Sequence, residues 1–159
     1  MKIRPVEKKD AAAILALIKG KAEFDGCLSS LHATENDISE AFFGSQPKAC
    51  ALVAEVDQQV IGIATYYNIY STFISKPGIW LDDLFVFTQY RKMGIGKALM
   101  KELCAIATKN NCGRIDWIVA RDNTSGRAFY QSMGASIFEE VRHSRLDVAA
   151  IKNLASQPA

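Results

Sequence analysis

The chain predicts an α/β (α+β) fold, with a central mixed, mostly antiparallel sheet flanked by helices. Three observations predict it. Residues 49–56 and 60–70 are two strand-like runs joined by the polar turn Asp57-Gln58-Gln59, which reads as an antiparallel hairpin. Residues 82–87 carry the aromatic and β-branched residues a strand favours, and they run through a basic glycine loop into a helix marked by Ile95, Leu99, Leu103 and Ile106. Residues 114–120 then supply another apolar strand. The resulting β–α–β unit places two strands parallel through a right-handed crossover.

The remaining elements follow in order. Residues 2–6 read as a first strand. Asp10 is a suitable N-cap for a helix over 11–23, with Ile14, Leu15, Leu17 and Ile18 on or near its apolar side. Residues 24–33 read as a loop, and Thr34, with Asp37 three positions on, opens a short helix to about Phe43. Residues 71–78 are expected to be a loop bounded by Pro77-Gly78. The long helix ends near Lys109-Asn110-Asn111. Asn123 caps a helix over 124–133, which Gly134 stops. Residues 136–146 suggest a closing strand or hairpin arm, and 148–154 a terminal helix.

At 159 residues the chain is most simply a single domain, 1–159, large enough for a substantial core. A net charge of +2 is too small to argue for nucleic acid or a membrane surface, and neither is expected as a partner. No apolar run approaches the ~20 residues of a membrane span, and the start of the chain does not build a hydrophobic block, so a cytoplasmic location is expected. Cys27, Cys50, Cys104 and Cys112 lack metal-ligand or Cys-x-x-Cys spacing and read as reduced thiols, mainly core fillers. His32 and His143 stand alone, so no metal is expected.

The chemistry-bearing segment is Arg91-Lys92-Met93-Gly94-Ile95-Gly96-Lys97. A loop opening a helix in this way presents unpaired N–H groups on the positive end of the helix dipole. That is an anion site, suited to a pyrophosphate. Gly94 and Gly96 permit close approach of the backbone, while Arg91, Lys92 and Lys97 add positive charge. A dinucleotide fingerprint would need Gly or Ala where Leu99 stands, and an NTP-binding loop would need Ser or Thr after Lys97, where Ala98 stands. The bland alternative is a simple helix-opening turn.

Arg-x-x-Gly-x-Gly after a strand resembles the acetyl-CoA loop of the GCN5-related N-acetyltransferase (GNAT) superfamily. The segment from Asp116 through Asn123 and Phe129-Tyr130 to Gly134-Ala135 resembles that superfamily's later motif. At subfamily level the chain is similar to the spermidine/spermine (diamine) and thialysine N-acetyltransferases. The matching pieces are Ala22-Glu23-Phe24-Asp25, Ala33-Thr34-Glu35, Val53-Ala54-Glu55, Ile61-Gly62, Tyr70-Ser71-Thr72, the block from Trp80 to Val86, and Tyr90-Arg91. The chain departs from the pattern at Asp82 and Asp25, where Glu is usual, and at Asp122, where Trp is usual.

The resemblance implies a twisted sheet with a β–α–β acetyl-CoA-binding core, acetyl-CoA as co-substrate, a small-molecule primary amine as acceptor, and a homodimer. It implies that Leu84, Phe85, Val86, Arg91, Lys92, Met93, Gly94, Ile95, Gly96, Lys97, Asn123, Ser125, Gly126 and Tyr130 bind the coenzyme, with Arg127 beside them. Phe24, Asp25, Asp82, Asp83 and Trp117 are the implied substrate contacts. Tyr130 would be the general acid at the departing thiolate, and Asp82 the acid in contact with the amine. An alkyl amine (pKa ~10.4) must lose a proton before it can attack, so a carboxylate, directly or through water, is needed. Neighbouring strand residues point to opposite faces, so at most one of Asp82 and Asp83 should face the substrate. Protein lysine or an aminoglycoside are alternative acceptors, and a coenzyme-binding sensor without turnover is the alternative class.

Overall fold

A computed structural model describes residues 1–158. The chain falls into two compact units, Met1–Ile118 and Val119–Ala159. In the first, five strands run β1 (Lys2–Pro5), β2 (Cys50–Val56), β3 (Gln59–Ser71), β4 (Lys76–Val86) and β5 (Ile115–Asp116), and their spatial order equals their chain order. The first three pairings are antiparallel and β4–β5 is parallel, so the sheet is mixed and mostly antiparallel as predicted. The β2–β3 turn holds Asp57 and Gln58 at φ 49° and 65°, the left-handed pair that matches the twist of a tight hairpin.

Helices α1 (Ala11–Phe24), α2 (Glu35–Phe43) and α3 (Ile95–Lys109) belong to the same unit. Thr34 and Asp37 form a reciprocal capping box at α2. Ile14 and Leu17 of α1 are fully buried against Val53, Ile63 and Phe85. On α3, Leu99 and Leu103 are wholly buried. Gly20 lies against the rings of Phe85 and Phe87, where a Cβ would come within 3.0 Å of Phe85. Glycine there lets the end of α1 approach β4 closely.

Several expectations are corrected. Asp10 occupies the N-cap position of α1 but makes no side-chain cap. Its carboxylate instead takes Arg4, at 2.7 and 3.0 Å, and accepts the Glu7 N–H. Arg4, which is 7% exposed, also reaches Glu55 at 2.6 Å, so a buried cation outcompetes the cap. The Arg4 hydrogen bond holds the Asp10 carboxyl below its ordinary value of 3.8. That contribution to stability is complete above the ordinary value and disappears as pH falls through the lower folded one. Asp10→Asn is expected to cost about 3 kcal/mol in urea unfolding, because the Arg4 charge loses a buried partner.

Pro77 and Gly78 lie inside β4, opposite Tyr70 and Ile69, and the turn is residues 72–75. The Pro77 carbonyl accepts the Gly113 N–H, so the main-chain groups of Pro77 face away from β3 and the missing N–H costs that ladder nothing. The last strand is shorter than 114–120, because only Ile115 and Asp116 pair with β4. The cysteines are not core fillers: Cys27, Cys50 and Cys104 are exposed. Cys104 lies on α3 next to the buried Leu103 but on the solvent side of that helix.

In the second unit, Asn123 accepts the Gly126 N–H at 2.9 Å and caps α4 (Thr124–Gln131). Gly134 follows at φ 90°. Helix α5 (Val148–Ala155) is capped by Asp147. Residues 136–146 form no strand, contrary to expectation. Their apolar alternation has no neighbouring strand in this unit to pair with, and Phe138, Val141 and Leu146 are exposed.

Candidate active site

The site is built around β4. Thr65 of β3 faces Asp83, but its neighbour Tyr66 faces Leu81, so Asp82 is the extra residue of a β-bulge. The bulge breaks strict alternation, and both Asp82 and Asp83 line one cleft of about 280 Å³. The expectation that only one of them would face it is thereby corrected. Ile18 of α1, Phe42 of α2 and Tyr66 and Tyr67 of β3 supply much of the apolar wall. Tyr67 stacks on Trp80, with ring centroids 6.5 Å apart.

The two carboxylates are in different states. Asp83 accepts the Thr65 hydroxyl at 3.1 Å through Oδ2 and lies 3.4 Å from Lys21 Nζ through Oδ1. Lys21 also bonds Asp25, one helical turn further along. Asp82 is exposed as a residue, yet its carboxyl sits against the cleft wall. Desolvation there, and then the charge of Asp83, raise its pKa above 3.8, opposed by a hydrogen bond from Trp80 and the Lys21 charge. Burial, with the charge of Asp82 adding to it, likewise raises Tyr67.

At its other end β4 runs through residues 88–90 into the glycine loop. Gly94 is the N-cap of α3, at φ 79°, with no atom within 4 Å of where a Cβ would stand. No side chain caps α3, whereas Thr34, Asn123 and Asp147 cap α2, α4 and α5. The open first-turn N–H groups, with exposed Lys92 and Lys97 around them, suit a diphosphate. Ile95 turns its side chain into the core, so only its backbone can meet a ligand. Met93 is exposed and Gly96 half-buried. Lys92 is itself at φ 62°. Gly94→Val forces a β-branched residue into the left-handed region at about 1–2 kcal/mol. It is expected to weaken coenzyme binding roughly tenfold by calorimetry, with the cleft unaffected.

Arg91 donates Nε–H to the Val86 carbonyl at 3.0 Å, and its guanidinium lies 4.4 Å from the Phe24 ring centre. Phe24 therefore supports the basic loop, in addition to any role toward substrate. Leu84, Phe85 and Val86 pair with Ala64, Ile63 and Gly62 on one side, while pairing to β5 ends at Trp80. The opposite edge of β4 is therefore open along these residues. Trp117 is half-buried, one position beyond β5.

In the second unit, Tyr130 is half-buried on α4, edge-on to Phe129 with centroids 5.2 Å apart. Asn123 accepts the Ser125 hydroxyl as well as the Gly126 N–H, and Arg127 pairs with Glu139. Sequence reasoning missed Lys21, Thr65, Tyr67 and the Trp80 hydrogen bond. Lys21 alone left a signal: it stands four residues before Asp25 and three after Ile18, on one helical face. Among the described residues no three metal-ligating side chains come together.

The chain is 32% identical over 140 residues to the human spermidine/spermine N(1)-acetyltransferase-like protein 1, covering 84% of this chain and 20% of that protein. It is 35% identical over 96 residues to the L-ornithine N5-acetyltransferase of Arabidopsis thaliana, covering 60% of this chain and 42% of that protein. The chain thus spans less than half the length of these two relatives. It is 29% identical over 147 residues to mouse thialysine N-epsilon-acetyltransferase, covering 87% of this chain and 86% of that protein. Among solved structures, an integron cassette protein from the mobile metagenome of V. cholerae superposes with a TM-score of 0.80 at 28% identity over 98% of both chains. The Acetyltransferase (GNAT) family profile matches residues 15–135, which include α3, its glycine cap, both cleft acids and Tyr130. With that match over most of its length, and a strand passing from paired acids into an uncapped glycine helix, the chain belongs to the GNAT acetyltransferase family.

Proposed function

We propose that this protein is an acetyl-CoA-dependent N-acetyltransferase that acts on a primary amine of a small cationic substrate, polyamine- or lysine-like. The observation that carries the reading is continuity along β4. The bulge in its middle sets Asp82 in a cleft walled by aromatic rings, and its C-terminal end leads toward the uncapped N-terminus of α3. The residues there fit the diphosphate of coenzyme A: open N–H groups, a glycine with free space where a Cβ would be, and Lys92, Lys97 and Arg91. When bound, the coenzyme supplies an acyl group activated as a thioester.

The chain's own residues divide the rest of the work. A carboxylate and an alkyl amine of ordinary pKa differ by about 6.5 units, roughly 9 kcal/mol against proton transfer. Desolvation narrows that gap at Asp82, which takes the ammonium proton directly or through water. Tyr67, with Trp80 stacked on its ring, walls the cleft beside it and limits access of water. The open edge of Leu84–Val86 offers main-chain donors to the reacting carbonyl and partners for an extended arm. Tyr130 holds a phenolic proton for the departing group. A cytoplasmic homodimer completes the proposal.

Thiol release from acetyl-CoA, measured across diamines, polyamines, side-chain-amine amino acids, aminoglycosides and a lysine peptide, tests this reading. Turnover is expected with the small aliphatic amines. Tight coenzyme binding without thiol release on any amine would favour a sensor instead.

A further inference from the structure

Asp82 has no partner of its own across the ladder. Thr65 of β3 stands opposite Asp83 and Tyr66 opposite Leu81, so the bulged residue takes its direction from its two neighbours. On one side Leu81, 2% exposed, is anchored in the core. On the other side Asp83 is clasped by a single side chain. Thr65 Oγ1 accepts the Asp83 main-chain N–H at 3.0 Å, and its hydroxyl donates to Asp83 Oδ2 at 3.1 Å. The remaining carboxylate oxygen, Oδ1, lies 3.4 Å from Lys21 Nζ. Thr65 lines the cleft and is only 4% exposed. A hydroxyl so deeply buried needs partners, and this one gives its single proton to the residue whose N–H it receives. It has no second proton to offer a substrate.

We infer that Thr65 is a positioning residue: its hydroxyl clasps Asp83, holds the bulge of β4 in one shape, and so keeps Asp82 aimed into the cleft. The inference rests on Asp82 as the base of the amine-acetylating reading and names what orients it. A bulge locally disrupts the ladder, and here a side chain receives the N–H beside it. Valine matches threonine in shape but can neither accept that N–H nor donate to the carboxylate. With both bonds gone, Asp83 turns freely and Asp82 loses the fixed neighbour that holds it against the cleft wall. The charged and titratable groups around Asp82 are Asp83 beside it, Tyr67 of β3, and Lys21 of α1, which is itself paired with Asp25. Thr65→Val removes none of these charges, so its effect falls on kcat rather than on amine affinity. A rehydrated Asp82 also returns toward its ordinary value of 3.8, which moves the acid limb of activity to lower pH. A merely structural loss lowers the rate without moving the limb.

The test compares wild type with Thr65→Val and with Thr65→Ser, which keeps the hydroxyl. Thr65→Ala takes the place of valine should that variant not fold. Each is assayed with acetyl-CoA and with putrescine or L-lysine, whichever amine wild type turns over faster. Thr65→Val is expected to lower kcat about tenfold, with KM and coenzyme affinity within about twofold, and to shift the acid limb to lower pH. Thr65→Ser should restore both rate and limb. In an Asp82→Asn background Thr65→Val should cost nothing further, because it acts through Asp82. Hydrogen exchange at the Asp83 amide reads the clasp without catalysis, and its protection should fall about tenfold in Thr65→Val alone. An unchanged limb, an equal loss in the Asp82→Asn background, or an Asp83 amide equally protected in wild type and Thr65→Val overturns the inference. If neither amine turns over yet the amide loses its protection, the clasp stands and the acetylation reading fails.

Discussion

Asp82→Asn is expected to lower kcat/KM for the amine substrate by about 10²–10⁴-fold while leaving coenzyme affinity intact. The substitution keeps size and hydrogen-bonding capacity but removes the base. In wild type, kcat/KM should rise with pH through the Asp82 pKa, which desolvation and the Asp83 charge hold above 3.8. The sign follows from the form that works, since only the carboxylate accepts a proton. The acid limb should vanish in the variant. The folded state also disfavours the ionised Asp82, so a neutral residue there should not lower stability at neutral pH. Loss of activity without loss of stability separates a base from a structural acid. A variant that keeps the limb and the rate removes Asp82 from the role.

Tyr130→Phe is expected to show the second large effect. It should retain coenzyme binding and lose most turnover, again about 10²–10⁴-fold, because only the phenolic hydroxyl is removed. The ring remains to pack edge-on against Phe129, so α4 should fold unchanged. The loss should appear in single-turnover rates rather than in coenzyme Kd. Unchanged turnover would assign the leaving-group proton to water or to another donor.

What could be read in the sequence was what local chemistry decides. Thr34 and Asp37 announce α2 because capping is settled within four residues. Asp57-Gln58 marks the hairpin because a tight turn demands left-handed backbone. Gly94 marks the start of α3 because a left-handed, uncapped helix start needs no distant partner. What could not be read depends on pairing. The bulge that sets Asp82 beside Asp83 follows from the register of β4 on β3, which no spacing within β4 reveals. Pro77-Gly78 has the composition of a turn, yet its carbonyl faces Gly113, so the strand continues. Asp10 has the composition of a cap, but the buried Arg4 claims it. Residues 136–146 have the alternation of a strand and no strand beside them in their own unit. Lys21 matters only because α1 sits closely enough on β4 to bring it to Asp83.

The central claim is that the glycine start of α3 grips coenzyme A, so that a thioester can meet the amine held at Asp82. Titration calorimetry of purified protein with coenzyme A, in parallel with Gly94→Val, tests it most directly. Saturable one-to-one binding to wild type, weakened about tenfold in the variant, is the predicted result. No heat with wild type, or equal affinity in both proteins, would contradict it.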